Sequence, residues 1–113
     1  MKKILVIGST GQIGSELTKV LRETYGNENV VAGYIKGAEP KGWLAESGPM
    51  AEADVTNPQM IADIVKQYQI DTIYNLAALL SVVAESKPRL AWKIGIDGLW
   101  NILEVAREHG CAV

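Results

Sequence analysis

Residues 3–14 read Lys3-Ile4-Leu5-Val6-Ile7-Gly8-Ser9-Thr10-Gly11-Gln12-Ile13-Gly14. Ile4 to Ile7 form an unbroken apolar run, rich in β-branched side chains, of the kind that suits a strand covered on both faces. Three glycines spaced Gly-x-x-Gly-x-x-Gly come next, where the strand hands over to an amphipathic helix. Gly8 turns the backbone where a Cβ would clash, Gly11 lets the main chain come close to a pyrophosphate, and Gly14 lets the helix pack closely on the strand. The first N–H groups of that helix have no intrahelical partner and its positive dipole end faces the loop, so the segment reads as a dinucleotide site.

Strand and helix signals alternate along the rest of the chain, the pattern of a parallel sheet with helices on both faces. The first helix is expected to bury Ile13, Leu17, Val20, Leu21 and Tyr25, and Gly26 stops it. Asn29 to Tyr34 reads as the second strand and Ala51 to Asp54 as a short third. Between them lies a polar stretch containing Gly and Pro, in which Trp43 to Glu46 makes a turn or two of helix. Asn57 and Pro58 mark a helix start, an N-cap followed by proline at the first helical position, with Ile61, Ile64, Val65 and Tyr68 as the buried stripe. A fourth strand is expected at Asp71 to Leu76. The last helix runs from Pro88 to His109, with Gly110 as a left-handed cap, and Cys111 to Val113 open a fifth strand.

Length and composition bound the possibilities. The 113 residues, 48% of them hydrophobic, suit one small core, here a single dinucleotide-binding unit over residues 1–113. A formal net charge of −2 gives no electrostatic reason to expect nucleic acid or an anionic membrane. No apolar stretch approaches the ~20 residues needed to span a bilayer, and no secretory signal pattern opens the chain, so the expected location is the cytoplasm. Cys111 is the sole cysteine and His109 the sole histidine, which excludes an intrachain disulfide and a His/Cys zinc site.

Right-handed crossovers make the expected fold α/β, a doubly wound parallel sheet of Rossmann type in the order 3-2-1-4-5, cut off at the start of the fifth strand. The ligand belongs at the carboxyl ends of strands one and four, where the order reverses. After the second strand an acid is expected for the adenosine ribose hydroxyls, but the residues are Gly33-Tyr34-Ile35-Lys36. Either Lys36 meets a 2′-phosphate and Tyr34 covers the ribose or adenine, or both side chains point into solvent. After the third strand, Asp54 is placed to accept from the adenine amino group and Val55 to cover the ring, with a loop cap as the other role for Asp54.

Asn75-Leu76-Ala77-Ala78-Leu79-Leu80-Ser81, taken with the glycine triplet and Asp54-Val55, resembles the extended short-chain dehydrogenase/reductase family, which includes nucleotide-sugar epimerases and dehydratases. Ala77 to Ser81 followed by Glu85, Pro88, Ala91-Trp92 and Gly98-Leu99, together with the Gly-Gln-Ile-Gly-Ser-Glu-Leu opening, is similar to the short-chain type of L-threonine 3-dehydrogenases. The resemblance implies that Gly8, Gly11, Gln12, Ile13 and Gly14 wrap the pyrophosphate of NAD, Asp54 and Val55 the adenine, and Leu76, Ala77 and Ala78 the inner half of the cofactor. It places Ser81 near a small-molecule substrate. It further implies hydride transfer from L-threonine to NAD, giving 2-amino-3-ketobutyrate, and a homodimer built on the last helix, where Trp92 and Trp100 serve packing or subunit contact. Tyr34 departs from the family pattern where the ribose-binding acid stands, and Gly95 departs where an asparagine is expected beside the active site.

Members of that family use a tyrosine with a lysine four residues later, whose charge lowers the phenol pKa so that it can take the hydroxyl proton. Four residues beyond Tyr25, Tyr34, Tyr68 and Tyr74 stand Asn29, Ala38, Thr72 and Ala78, so these 113 residues hold no such pair and no catalytic residue is assigned. The family carries the pair after the fifth strand, and the chain therefore reads as the amino-terminal part of a longer enzyme. The alternatives are a nucleotide-sugar epimerase or dehydratase, for which the same first half would serve, and a redox-inert dinucleotide-binding module.

Overall fold

The computed structural model describes residues 2–76 and 88–113, with side chains in the second stretch from Gly98 onward. Strand β1 (Ile4–Ile7) runs into helix α1 (Gln12–Tyr25), and a 3-10 turn at Asn27–Asn29 leads to β2 (Val30–Tyr34). The short helix α2 (Trp43–Glu46), β3 (Met50–Glu52), helix α3 (Pro58–Tyr68), β4 (Thr72–Asn75) and helix α4 (Pro88–His109) complete the order. The four strands are parallel in the order β3-β2-β1-β4. A parallel bridge between Thr72 and Ala112, with the Ile73 amide donating to the Ala112 carbonyl at 2.8 Å, sets the end of the chain against the outer edge of β4. That is the place of a fifth strand in the order 3-2-1-4-5.

Every residue of β1 is buried, and alternation along it feeds two cores. Leu5 and Ile7 join Val31 and Ile73 against Ile61, Ile64 and Val65 of α3 and Ile102, Val105 and Ala106 of α4. Ile4 and Val6 join Val30 on the opposite face, where α1 supplies Leu21, with Leu17 and Tyr25 partly buried. A strand with a helical layer on each side has no polar face, which is why its sequence is a continuous apolar run.

Helix α1 is rotated from the stripe expected of it. Ile13 is 63% exposed and Val20 54%, while Gly14, Thr18, Leu21 and Arg22 are buried. Hydrophobic period alone sets the width of a stripe, and its phase goes to whichever polar residues find partners inside. Thr18 donates to the Gly14 carbonyl at 2.7 Å. Arg22 finds five acceptor contacts: Nε and Nη2 to the Val30 carbonyl, Nη1 to the Leu44 carbonyl and the Ser47 hydroxyl, and Nη2 to the Pro49 carbonyl.

Strand ends move by one or two residues. Asn29 belongs to the 3-10 turn, where its side-chain Nδ2 donates to the Tyr25 carbonyl and its backbone amide to the Gly26 carbonyl, so β2 begins at Val30. β3 starts at Met50 and stops at Glu52, although the Ala53 amide still bonds to the Tyr34 carbonyl; the Asp54 amide contacts the Met60 sulfur. Asp71 and Leu76 lie outside β4 proper, yet their amides still bond to Lys3 and Ile7 of the first strand segment. The Asn57 side chain caps α3 by accepting from the Met60 amide at 3.2 Å, with Pro58 at the first helical position.

Arg22 ties α1 to β2, to α2 and to the residues entering β3, with no carboxylate in ion-pair distance among the described residues. Burial lowers its pKa, and its acceptors hold the charge by hydrogen bonds alone. Arg22→Leu would take the arginine donors from the buried Val30 and Leu44 carbonyls, while Pro49 keeps the Ala32 amide, at a cost of about 3 kcal/mol. Arg22→Lys, which reaches fewer acceptors, should fall between. A drop in urea stability of less than about 1 kcal/mol for Arg22→Leu would show that the clasp contributes little.

Candidate functional site

The carboxyl ends of all four strands carry the candidate residues. At the end of β1 the chain turns through Gly8, whose φ of +83° is a region that L side chains rarely adopt. The Gly8 and Ser9 amides and the Ser9 hydroxyl all donate to the Gly33 carbonyl of β2, at 3.2, 3.0 and 2.8 Å. Gly11 is the N-cap of α1 in extended conformation, and the first helical bond runs from the Ser15 amide to its carbonyl. The amides of Gln12, Ile13 and Gly14 lie before that bond. The helix has no side-chain cap and no acid in its first turn, so its amide-rich end stays open to an anion. Gly14 packs so closely that a Cβ there would lie 2.0 Å from the Gly8 carbonyl oxygen.

Gln12 and Ile13 are both exposed at this open end, which rules out a core role for Ile13 and leaves its backbone available to a ligand. Tyr34 ends β2 half-buried, and Lys36 is exposed in the next turn. Asp54 acts as a loop cap: its Oδ1 accepts from the Thr56 amide at 2.9 Å and from the Thr56 hydroxyl at 2.7 Å. Val55 is buried against α4, where it faces Gly98, and its carbonyl accepts from the Asn101 side chain at 2.9 Å. Leu76 comes directly after β4, half-buried against the α1-side core, with its amide bonded to the Ile7 carbonyl. Ala77, Ala78 and Ser81 lie outside the described residues, as do Glu85 and the side chain of Trp92.

A cleft of about 280 Å3 opens beside the first turn of α1, lined by Thr10, Ser15, Glu39, Pro40, Lys41 and Leu44. Glu39 accepts from the Gly37 amide at 3.0 Å, and that bond, with Lys41 nearby, holds its carboxyl below the usual range. Elsewhere, Cys111 donates to the Ile70 carbonyl, and burial together with Asp71 pushes its thiol up, so it stays protonated and packs against the core. Among the described residues no group of three or more His, Cys, Asp or Glu is placed to hold a metal ion, and no helix is long and apolar enough to cross a membrane.

Sequence reasoning passed over Ser9, Gly33 and Asn101. Gly33 has no room for a Cβ, which would sit 2.9 Å from the Val6 carbonyl oxygen. Asn101 carries a weak signal, a polar residue beside the buried Ile102 and Val105 on α4. The Ser9 bond to Gly33 joins residues 24 apart and leaves no local trace.

The profile of the NAD dependent epimerase/dehydratase family matches residues 4–113. An uncharacterised epimerase/dehydratase of Staphylococcus saprophyticus is 44% identical over 109 residues, which are 96% of this chain and 34% of that protein. The L-threonine dehydrogenase of Clostridium difficile has a similar solved structure, with a TM-score of 0.83 and 50% identity over 98% of this chain and 34% of that one. The GalE-like L-threonine dehydrogenase of Cupriavidus necator, in its holo form, aligns with a TM-score of 0.82 and 35% identity over 96% of this chain and 34% of that one. The chain thus spans about a third of the length of the relatives it matches.

A Cβ added at Gly98 would lie 2.5 Å from the Val55 Cγ2. Gly98→Ala should therefore destabilise the protein by about 1–3 kcal/mol, the usual cost of overpacking. Val55→Ala in the same chain should return part of that loss, since the two sites are in contact. Strictly additive stabilities in a double-mutant cycle of chemical denaturation would show that α4 shifts to absorb the methyl group.

Proposed function

Because the chain belongs to the NAD-dependent epimerase/dehydratase family, we propose that it forms the cofactor-binding part of an L-threonine 3-dehydrogenase that works in the cytoplasm. The observation that carries this reading is the identity of half the aligned residues with an L-threonine dehydrogenase over nearly the whole chain. The uncapped, acid-free N-terminus of α1 beyond the tight Gly8 turn fits a dinucleotide. Bound there, NAD supplies the hydride acceptor for oxidation of the hydroxyl-bearing carbon of L-threonine to 2-amino-3-ketobutyrate.

The chain's own residues bind and orient. The amides of Gln12, Ile13 and Gly14 would hold the pyrophosphate, with the dipole of α1 offsetting its charge. Asp54 Oδ1 is engaged with Thr56, which leaves Oδ2 to accept from the adenine amino group. Leu76 would line the inner half of the cofactor, and the family resemblance carries that role to Ala77 and Ala78 and contact with the substrate to Ser81. The hydroxyl proton needs a base that residues 1–113 do not contain, since no tyrosine has a lysine four positions on. The exposed Leu99, Trp100 and Leu103 on α4 support a homodimer through that helix. Sedimentation of the whole gene product as a monomer would overturn the dimer.

Gly11 has φ −72° and ψ 168°, which any residue adopts, so Gly11→Val tests close approach with little backbone strain. NAD affinity by calorimetry should fall at least about tenfold, or about 1.4 kcal/mol. Unchanged affinity would remove the pyrophosphate from this loop.

The whole gene product should reduce NAD with L-threonine, and residues 1–113 alone should not, since positioned acid–base groups contribute about 10²–10⁴-fold and the rest of the substrate surface more. Equal activity in the two would overturn the catalytic assignment. Turnover of a nucleotide sugar in place of threonine would establish the second reading, which the relative named epimerase/dehydratase favours. NAD binding with neither reaction would leave a redox-inert module.

A further inference from the structure

We infer that Glu39 supplies the acid that β2 lacks at its end: its carboxylate receives the adenosine ribose hydroxyls and so makes the site prefer NAD to NADP. The inference rests on the dinucleotide reading above and concerns only its adenosine end.

In a Rossmann site the ribose acid stands at or just after the end of the second strand. Here that place holds Tyr34, and no carboxylate occurs before Glu39, five residues on. The backbone removes that distance. Ile35 to Ala38 form a turn closed by the Ala38 amide on the Ile35 carbonyl at 3.0 Å, with Gly37 at φ +93° in its third position. The chain therefore doubles back, and Glu39 Oε1 accepts from the Gly37 amide, which anchors the carboxylate beside the turn. The buried Pro40 pins the chain immediately after Glu39.

The anchored side chain lines the cleft whose other wall is Thr10 of the glycine loop and Ser15 of α1. A pyrophosphate over the first turn of α1 puts the adenosine ribose next to this wall, between the glycine loop and the chain leaving β2. The Gly37 bond favours the ionised form of the exposed Glu39, which sets a carboxylate beside Lys41 on the cleft wall. A carboxylate accepts hydrogen bonds from ribose hydroxyls and repels the dianionic 2′-phosphate of NADP. Lys36 and Lys41 are exposed point charges that oppose this preference, and Lys41 and Glu39 lie near enough to offset each other.

The test is calorimetry of NAD and NADP with the whole gene product, as wild type, Glu39→Gln, Lys41→Ala and Gly11→Val. Wild type should prefer NAD. Glu39→Gln should weaken NAD by about tenfold and leave NADP equal or tighter, a change in ratio that a general loosening of the loop would not give. Lys41→Ala should keep the preference for NAD. An NAD affinity that falls with Gly11→Val but is untouched by Glu39→Gln overturns the role of Glu39 and leaves the dinucleotide site standing. Tighter NADP than NAD in wild type, lost in Lys41→Ala, replaces it with a phosphate subsite. Binding of neither nucleotide by wild type overturns both readings.

Discussion

Helix α1 comes so near the end of β1 that a Cβ on Gly14 would lie 2.0 Å from the Gly8 carbonyl oxygen, and the remaining parts of the site are arranged around that contact. The contact holds tight the four-residue loop between β1 and α1, and the open amides of the helix follow directly on that loop. The Gly8 turn, the Gly11 cap and the three donors gathered on the Gly33 carbonyl fix the loop from both sides. Gly33 itself is a second close approach, which brings β2 and the loop after β1 into one rigid rim.

The same helix explains the most costly side chain in the fold. An arginine at 1% exposure with neutral acceptors must recover its desolvation from hydrogen bonds alone. The acceptors come from β2, α2 and the approach to β3, so the charge organises the long connection between the second and third strands. That connection carries Glu39 and Lys41, and its shape sets one wall of the cleft beside the first turn of α1.

Two residues read from the sequence as ligand contacts also have structural work. Asp54 closes a turn with Thr56, and Val55 fills the space that Gly98 leaves on α4 while Asn101 ties down its carbonyl. One loop thereby links the rim of the sheet to the helix that presents Leu99, Trp100 and Leu103 to the outside.

The sequence alone determined the parallel α/β order, the glycine turn between β1 and α1, the Asn57-Pro58 start of α3 and the extent of α4 from Pro88 to His109. Each is written in local signals, whether an apolar run, a cap or a period, that physics reads over a few residues. Tertiary structure decided the phase of α1, with Ile13 and Val20 outside and Thr18 and Arg22 inside. Amphipathic spacing ranks side chains by polarity and is blind to acceptors that arrive from residues 30, 44, 47 and 49. It also decided where the chain leaves β3, in the turn that Asp54 closes with Thr56. The cleft beside Glu39 belongs to the same class: a carboxylate five residues past the strand comes near the glycine loop only through the turn at Gly37, and such a juxtaposition exists in no stretch of sequence.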